Sequence, residues 1–169
     1  MLLKETFYVS DFTYSYSAEQ FKVDNNQMTS DQLVNLMDLH GKLLEVQECL
    51  SKKFNKHIDI QINSAFRSKQ LNDYFVKTIG ASKTSEHMEG MAADTLAIGI
   101  TLNQYFESLK EFATVNPNGV LKFGQVIKEY GEHPEIETDD WVHISTPTTN
   151  HNNEFMIHNF GEGYIRVKL

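Results

Sequence analysis

The sequence predicts an α+β fold: a single domain in which a small, mostly antiparallel sheet is flanked by helices. Three observations carry this. Helical apolar spacing dominates the earlier part of the chain, and short alternating segments crowd the later part. No linker rich in Gly, Ser or Pro, no repeat and no low-complexity stretch divides the 169 residues. The 40% hydrophobic and 11% aromatic content is enough to fill one core.

In chain order, residues 1–28 alternate polar and aromatic side chains (Phe7, Tyr8, Phe12, Tyr14, Tyr16, Phe21) without a helical period. They read as an extended arm packed on the domain formed by residues 29–169. Thr29 or Ser30 can cap a long helix, because Leu33, Leu36, Met37, Leu43, Leu44, Val46 and Leu50 recur every three to four residues. Gly41 inside it costs about 1 kcal/mol relative to Ala, which suggests a kink or a close packing contact. From His57 to Asn63 apolar and polar residues alternate, as in a half-buried strand. Ser68–Thr78 reads as a helix ending near Gly80, Ala92–Leu96 as a strand and Thr101–Phe112 as a helix. Asn116-Pro-Asn-Gly119 reads as a turn. Short strands then follow at Gly124–Tyr130, Trp141–Ser145, Glu154–His158 and Tyr164–Lys168.

Fifteen Lys and Arg against 23 Asp and Glu leave a net charge of −8. Nucleic-acid backbones demand the opposite balance, so no nucleic-acid partner is expected, nor simple adhesion to an anionic surface. The lone Cys49 excludes an intramolecular disulfide and fits a reducing compartment; its helical spacing places it in packing. There is no basic segment leading into an apolar one at the start, and no run of about 18 apolar residues. A soluble protein without membrane insertion or an export signal of its own is expected.

Chemistry concentrates in Ser85-Glu-His87-Met-Glu-Gly90-Met-Ala-Ala-Asp94 and in Trp141-Val-His143-Ile-Ser145. Asp94 stands among Ala92, Ala93, Thr95 and Leu96, where a carboxylate is costly to bury unless it is paired or binds a metal. Two imidazoles and one carboxylate make an open zinc set with a fourth position for water, whereas magnesium and calcium prefer more oxygens. A satisfied core histidine and a capped aspartate are the bland alternative. His40, His57, His133, His151 and His158 read as solvated or structural, with His133 a candidate for the rim.

The spacing Ser85-x-His87-x-x-Gly90-x-x-x-Asp94, followed some 50 residues later by Asp140-x-x-His143, resembles the zinc D-Ala-D-Ala carboxypeptidase and L-alanyl-D-glutamate endopeptidase family. These are the LAS metallopeptidases, and the zinc core of Hedgehog signalling domains shares their fold. The stretch Ile62-Asn-Ser64-Ala-Phe-Arg67-Ser68-x-x-Leu71-Asn72 is similar to the family's Ser-Gly-Tyr-Arg-Ser segment. The Asp11-Phe-Thr-Tyr-Ser15 arm and the helix from Ser30 resemble the phage and prophage branch. The likeness runs from about Phe7 to Ser145, and the last 24 residues add little to it.

The resemblance implies one zinc ion per chain, held by His87, Asp94 and His143, and makes Asp140 the catalytic carboxylate. Arg67 matches an arginine that binds a substrate carboxylate or steadies an oxyanion. Ser85 matches a serine near the substrate, and Trp141 reads as a wall residue of the same pocket. Strand alternation alone would put Asp139 and Trp141 on the face of His143, so Asp140 reaches the metal only if the chain bends before Trp141. Asp139, and after it Glu137, are the alternatives.

The implied activity is hydrolysis of peptidoglycan stem peptides by an endolysin-like endopeptidase, towards which Asp rather than Glu at position 140 leans. A D-Ala-D-Ala carboxypeptidase or dipeptidase is the second enzyme reading. A zinc-containing virion or wall-binding module is the reading outside catalysis. Access to the wall would come through a holin or a virion, and the oligomeric state is left open.

Overall fold

The computed structural model describes residues 1–115, 121–130, 140–159 and 163–169. The expected turn at Asn116–Gly119, and His133, Glu137 and Asp139, lie outside the described residues.

Two short helices, α1 (Val9–Thr13) and α2 (Tyr16–Phe21), occupy the stretch whose sequence reads as an extended arm. Ser15 caps α2 by accepting from the Ala18 N–H, and the buried Phe12 ring anchors α1. Neither helix completes two turns, so neither leaves a period that a sequence reading could detect. Ahead of them, Leu3 N–H donates to Ile60 and Ile62 N–H donates to Met1, which covers one edge of the sheet.

The long helix α3 (Ser30–Phe54) starts at a reciprocal cap in which Thr29 accepts from Gln32 N–H and the Gln32 side chain accepts from Thr29 N–H. It runs unbroken through Gly41, where an added Cβ would meet nothing within 4 Å. The close contact expected as one possibility at Gly41 is therefore absent; the glycine faces solvent.

Strand β1 (Asp59–Ser64) leads to α4 (Lys69–Ile79), capped by Ser68 and ended by Gly80 in the left-handed conformation. A 3-10 turn (Glu86–Glu89) precedes β2 (Ala92–Ile98). Helix α5 (Leu102–Val115) opens on a second reciprocal cap, Thr101 with Gln104. Then come β3 (Gln125–Glu129), β4 (Trp141–Ser145), β5 (Glu154–Asn159) and β6 (Gly163–Val167).

The strands form one sheet in the order β1-β2-β4-β3-β5-β6, antiparallel throughout except for the parallel β3–β5 pair. Alternation gives the sheet two unlike faces. Ala93, Val142, Ile144, Val126 and Phe155 turn to the core beneath α3 and α5. The register puts Asp94, His143, Trp141, Glu129 and His158 on the other face. One face holds the fold together and the other is left for chemistry.

Candidate metal centre

Asp94 on β2 and His143 on β4 are direct partners in the antiparallel ladder, and His87 reaches the same point from the 3-10 turn. Together these three residues can each offer one ligand atom, all within 4.8 Å of one another. Asp94 Oδ1 lies 3.1 Å from His143 Nδ1 and 3.4 Å from His87 Nε2. Two atoms each about 2.0–2.1 Å from a tetrahedral zinc ion are separated by roughly 3.3–3.4 Å, so this donor set fits the metal.

His87 is oriented from behind. Its Nδ1 sits 2.6 Å from the Ala65 carbonyl, which leaves Nε2 for the metal. Arg67 N–H donates to the His87 carbonyl, while Gln32 and Asn35 on α3 donate to the carbonyls of Met88 and Glu89. Gly90 closes the turn at φ +69, and an added Cβ would stand 2.6 Å from the Gln32 carbonyl oxygen. Glycine at position 90 is thus required both by its backbone angle and by the close approach of α3.

The electrostatics follow from packing an acid against two imidazoles. Burial alone would raise the Asp94 carboxyl, but the charges and hydrogen bonds of His87 and His143 hold it well below the usual carboxylate range. Burial would lower His143, yet Asp94 and Glu86 outweigh it and bring the imidazole up to about 9. In the metal-free chain a proton on His143 takes the place of a cation.

Glu86 is a residue the sequence reading missed. Its carboxylate lies 3.8 Å from His143 Nε2, an ion-pair contact too long for a hydrogen bond, and both its oxygens are buried without a hydrogen-bond partner. A carboxylate behind a ligating imidazole fixes the ring and raises its basicity. Only its place in Ser85-Glu86-His87 could have flagged it. Trp141 Nε1 and His158 Nδ1, both on residues of the same sheet face, are also buried without a hydrogen-bond partner.

Arg67 leaves the end of β1 with its guanidinium over the Phe75 ring, 4.9 Å from the centroid, and donates to Asn72 Oδ1 at 3.3 Å. Burial lowers its pKa, against which Asp94 and Glu129 act as the nearby negative charges. Ser85 stands just before the 3-10 turn and is half-buried. Asp140, only 7% exposed, precedes β4 instead of belonging to it, so strand alternation does not assign its side. Of the remaining histidines, His40 is buried beside the Lys4 carbonyl, His57 pairs with Asp59 and His151 with Glu154.

A family model for peptidase M15 matches residues 5–145, more than four-fifths of the chain. The chain belongs to the peptidase M15 family. This M15 chain is therefore a peptidase, and the matched span contains every residue of the candidate centre. Comparison with curated proteins and with solved structures returned no match. No helix among the described residues of this peptidase is long and apolar enough to cross a membrane.

Proposed function

We propose that this M15 peptidase binds one zinc ion through His87, Asp94 and His143 and hydrolyses peptide bonds in peptidoglycan stem peptides, as an endolysin-like endopeptidase. The observation that carries the reading is the convergence of those three ligand atoms, with the half-buried Arg67 near enough for Asp94 to act on its charge. Among the described residues no carboxylate lies within ion-pair distance of Arg67, which leaves it available to a substrate. Zinc supplies a Lewis acid for the scissile carbonyl and makes water acidic enough to attack near neutral pH.

The chain's own groups do the rest. Asp140 takes the proton from the attacking water and returns it to the leaving amine. Arg67, held flat by Phe75 and Asn72, meets a substrate carboxylate or the developing oxyanion with a fixed fork of donors. Ser85 and Trp141 border the peptide on either side of the ligands. Glu86 keeps the His143 ring in place.

That no carboxylate among the described residues pairs with Arg67 also favours a second reading, a D-Ala-D-Ala carboxypeptidase in which it binds the terminal carboxylate. Delivery to the wall would fall to a holin or a virion. Mass spectrometry of muropeptides after digestion with the zinc-loaded protein separates these readings. New amino termini inside the stem identify an endopeptidase, and loss of terminal D-Ala alone identifies a carboxypeptidase. Intact muropeptides refute both.

A further inference from the structure

The hairpin of β5 and β6 lies beyond the residues matched to the family, yet it extends the ligand-bearing sheet face. The register aligns Glu129 on β3 with His158 on β5, and His158 with Tyr164 on β6. Glu129 is 16% exposed at its side chain, and its nearest cationic partner among the described residues is His158 Nδ1 at 3.7 Å, beyond hydrogen-bonding distance. That Nδ1 is itself buried without a hydrogen-bond partner. Tyr164 stacks on the imidazole at 4.3 Å between centroids while staying 60% exposed. A carboxylate, an imidazole nitrogen and an aromatic ring thus stand in a row, with no hydrogen bond between the acid and the imidazole.

We propose that Glu129, His158 and Tyr164 form a substrate subsite for a primary ammonium group. An ammonium brings three donors, enough for the Glu129 carboxylate and His158 Nδ1 together, and a cation is also attracted to the face of an aromatic ring. The placement gives a direction. Arg67 follows β1, on one side of the β2–β4 pair that carries Asp94 and His143, and Glu129 lies on β3, on the other side. A peptide crossing the strands meets a cation first, then the ligands, then an anion. Glu129 and His143 are diagonal neighbours, since Glu129 pairs with Trp141 and His143 with Ile127. Such neighbours are roughly 7–8 Å apart, about two residues of extended chain.

The charge state agrees. Burial, and after it the charge of Asp94, push the Glu129 carboxyl up to about 7, against the smaller opposing effects of His143 and Arg67. The ammonium could be a free α-amino terminus or the side chain of a diamino residue; the chemistry is shared and the test distinguishes them.

This inference rests on the peptidase reading for its substrate, and the experiment keeps the two apart. The zinc-loaded full chain is given the stem tetrapeptide L-Ala-D-Glu-L-Lys-D-Ala with both amines free, with only the α-amine acetylated, or with only the lysine amine acetylated. Cleavage is followed as kcat/KM. Binding is followed by fluorescence of Trp141, the only tryptophan in the chain. One acetylation should lower kcat/KM and affinity by roughly 10- to 100-fold, the worth of a charged hydrogen bond in a partly buried site. Which one does so names the source of the ammonium. In Glu129→Gln the same acetylation should change either quantity by less than about threefold, and Glu129→Asp should restore part of the discrimination. If neither acetylation matters in the native protein, or Glu129→Gln discriminates fully, the subsite is refuted while cleavage leaves the peptidase reading intact. If no peptide is cut but the fluorescence discrimination depends on Glu129, the subsite stands and the stem-peptide reading falls.

Discussion

His143 Nδ1 faces Asp94 Oδ1 at 3.1 Å across the β2–β4 ladder, joining residues 49 positions apart in the chain. The contact follows from register: the two are direct cross-strand partners on one face, where side chains of an antiparallel pair come closest. A half-buried acid and a buried imidazole placed together in this way share a proton until a metal displaces it. His87 adds the third donor from outside the sheet.

Zinc affinity should therefore depend on pH well above the usual histidine range. Because the metal-free His143 holds its proton up to about 9, affinity should rise about tenfold per pH unit from pH 7 towards pH 9. The metal-free fold should behave oppositely. The His143 contribution is full below its ordinary value of 6.5 and is lost as pH rises through about 9. The raised Glu129 acts in the same direction, its contribution fading as pH rises through about 7. Asp94 opposes only in acid, where its contribution is lost as pH falls below its ordinary range. Thermal scans of metal-free protein should show a Tm falling from pH 6 to pH 9, and excess zinc should reverse that slope. A zinc affinity that is flat between pH 7 and 9 would contradict the shared proton.

Elemental analysis should find one zinc per chain in the native protein and close to none in a His87→Ala and His143→Ala double variant. Two ligands lost from three leave Asp94 without a chelating partner. Unchanged zinc in that variant would place the metal elsewhere.

Asp140→Asn should keep zinc and fold while losing on the order of 10² to 10⁴ in turnover on peptidoglycan, the range for a positioned acid–base group. Asp139→Asn should cost little. The reverse pattern would assign the base to Asp139, and two active variants would point to Glu137.

Two glycines should respond to alanine with opposite signs. Gly41→Ala sits on an exposed turn of α3 with open space around its Cβ and should stabilise by about 0.5–1 kcal/mol. Gly90→Ala combines a left-handed φ of +69 with a Cβ 2.6 Å from the Gln32 carbonyl oxygen. It should destabilise by roughly 1–3 kcal/mol and weaken zinc binding by shifting His87. Denaturation midpoints and zinc titrations of both variants check this; a stabilising Gly90→Ala would mean that α3 does not press on the 3-10 turn.

Local chemistry was legible in the sequence wherever the deciding partner lies a few residues away. The cap at Thr29, one of two candidates with Ser30, the helix starts near Ser68 and Thr101 and the helix stop at Gly80 are short-range hydrogen-bonding and backbone effects, and their residues announce them. So do the alternation of β1 and the residue types of the metal set. Helices α1 and α2 were not legible, because fewer than two turns give no period and their place is set by what Phe12 packs against. Tertiary structure alone decided which side chains meet. Alternation sorts a strand's residues into two faces, but strand order and register determine that Asp94 faces His143 and that Glu129 lies beside His158. Those are long-range pairings, fixed by burying the whole Ala93–Val142–Val126–Phe155 face at once, and no local stretch of the chain encodes them.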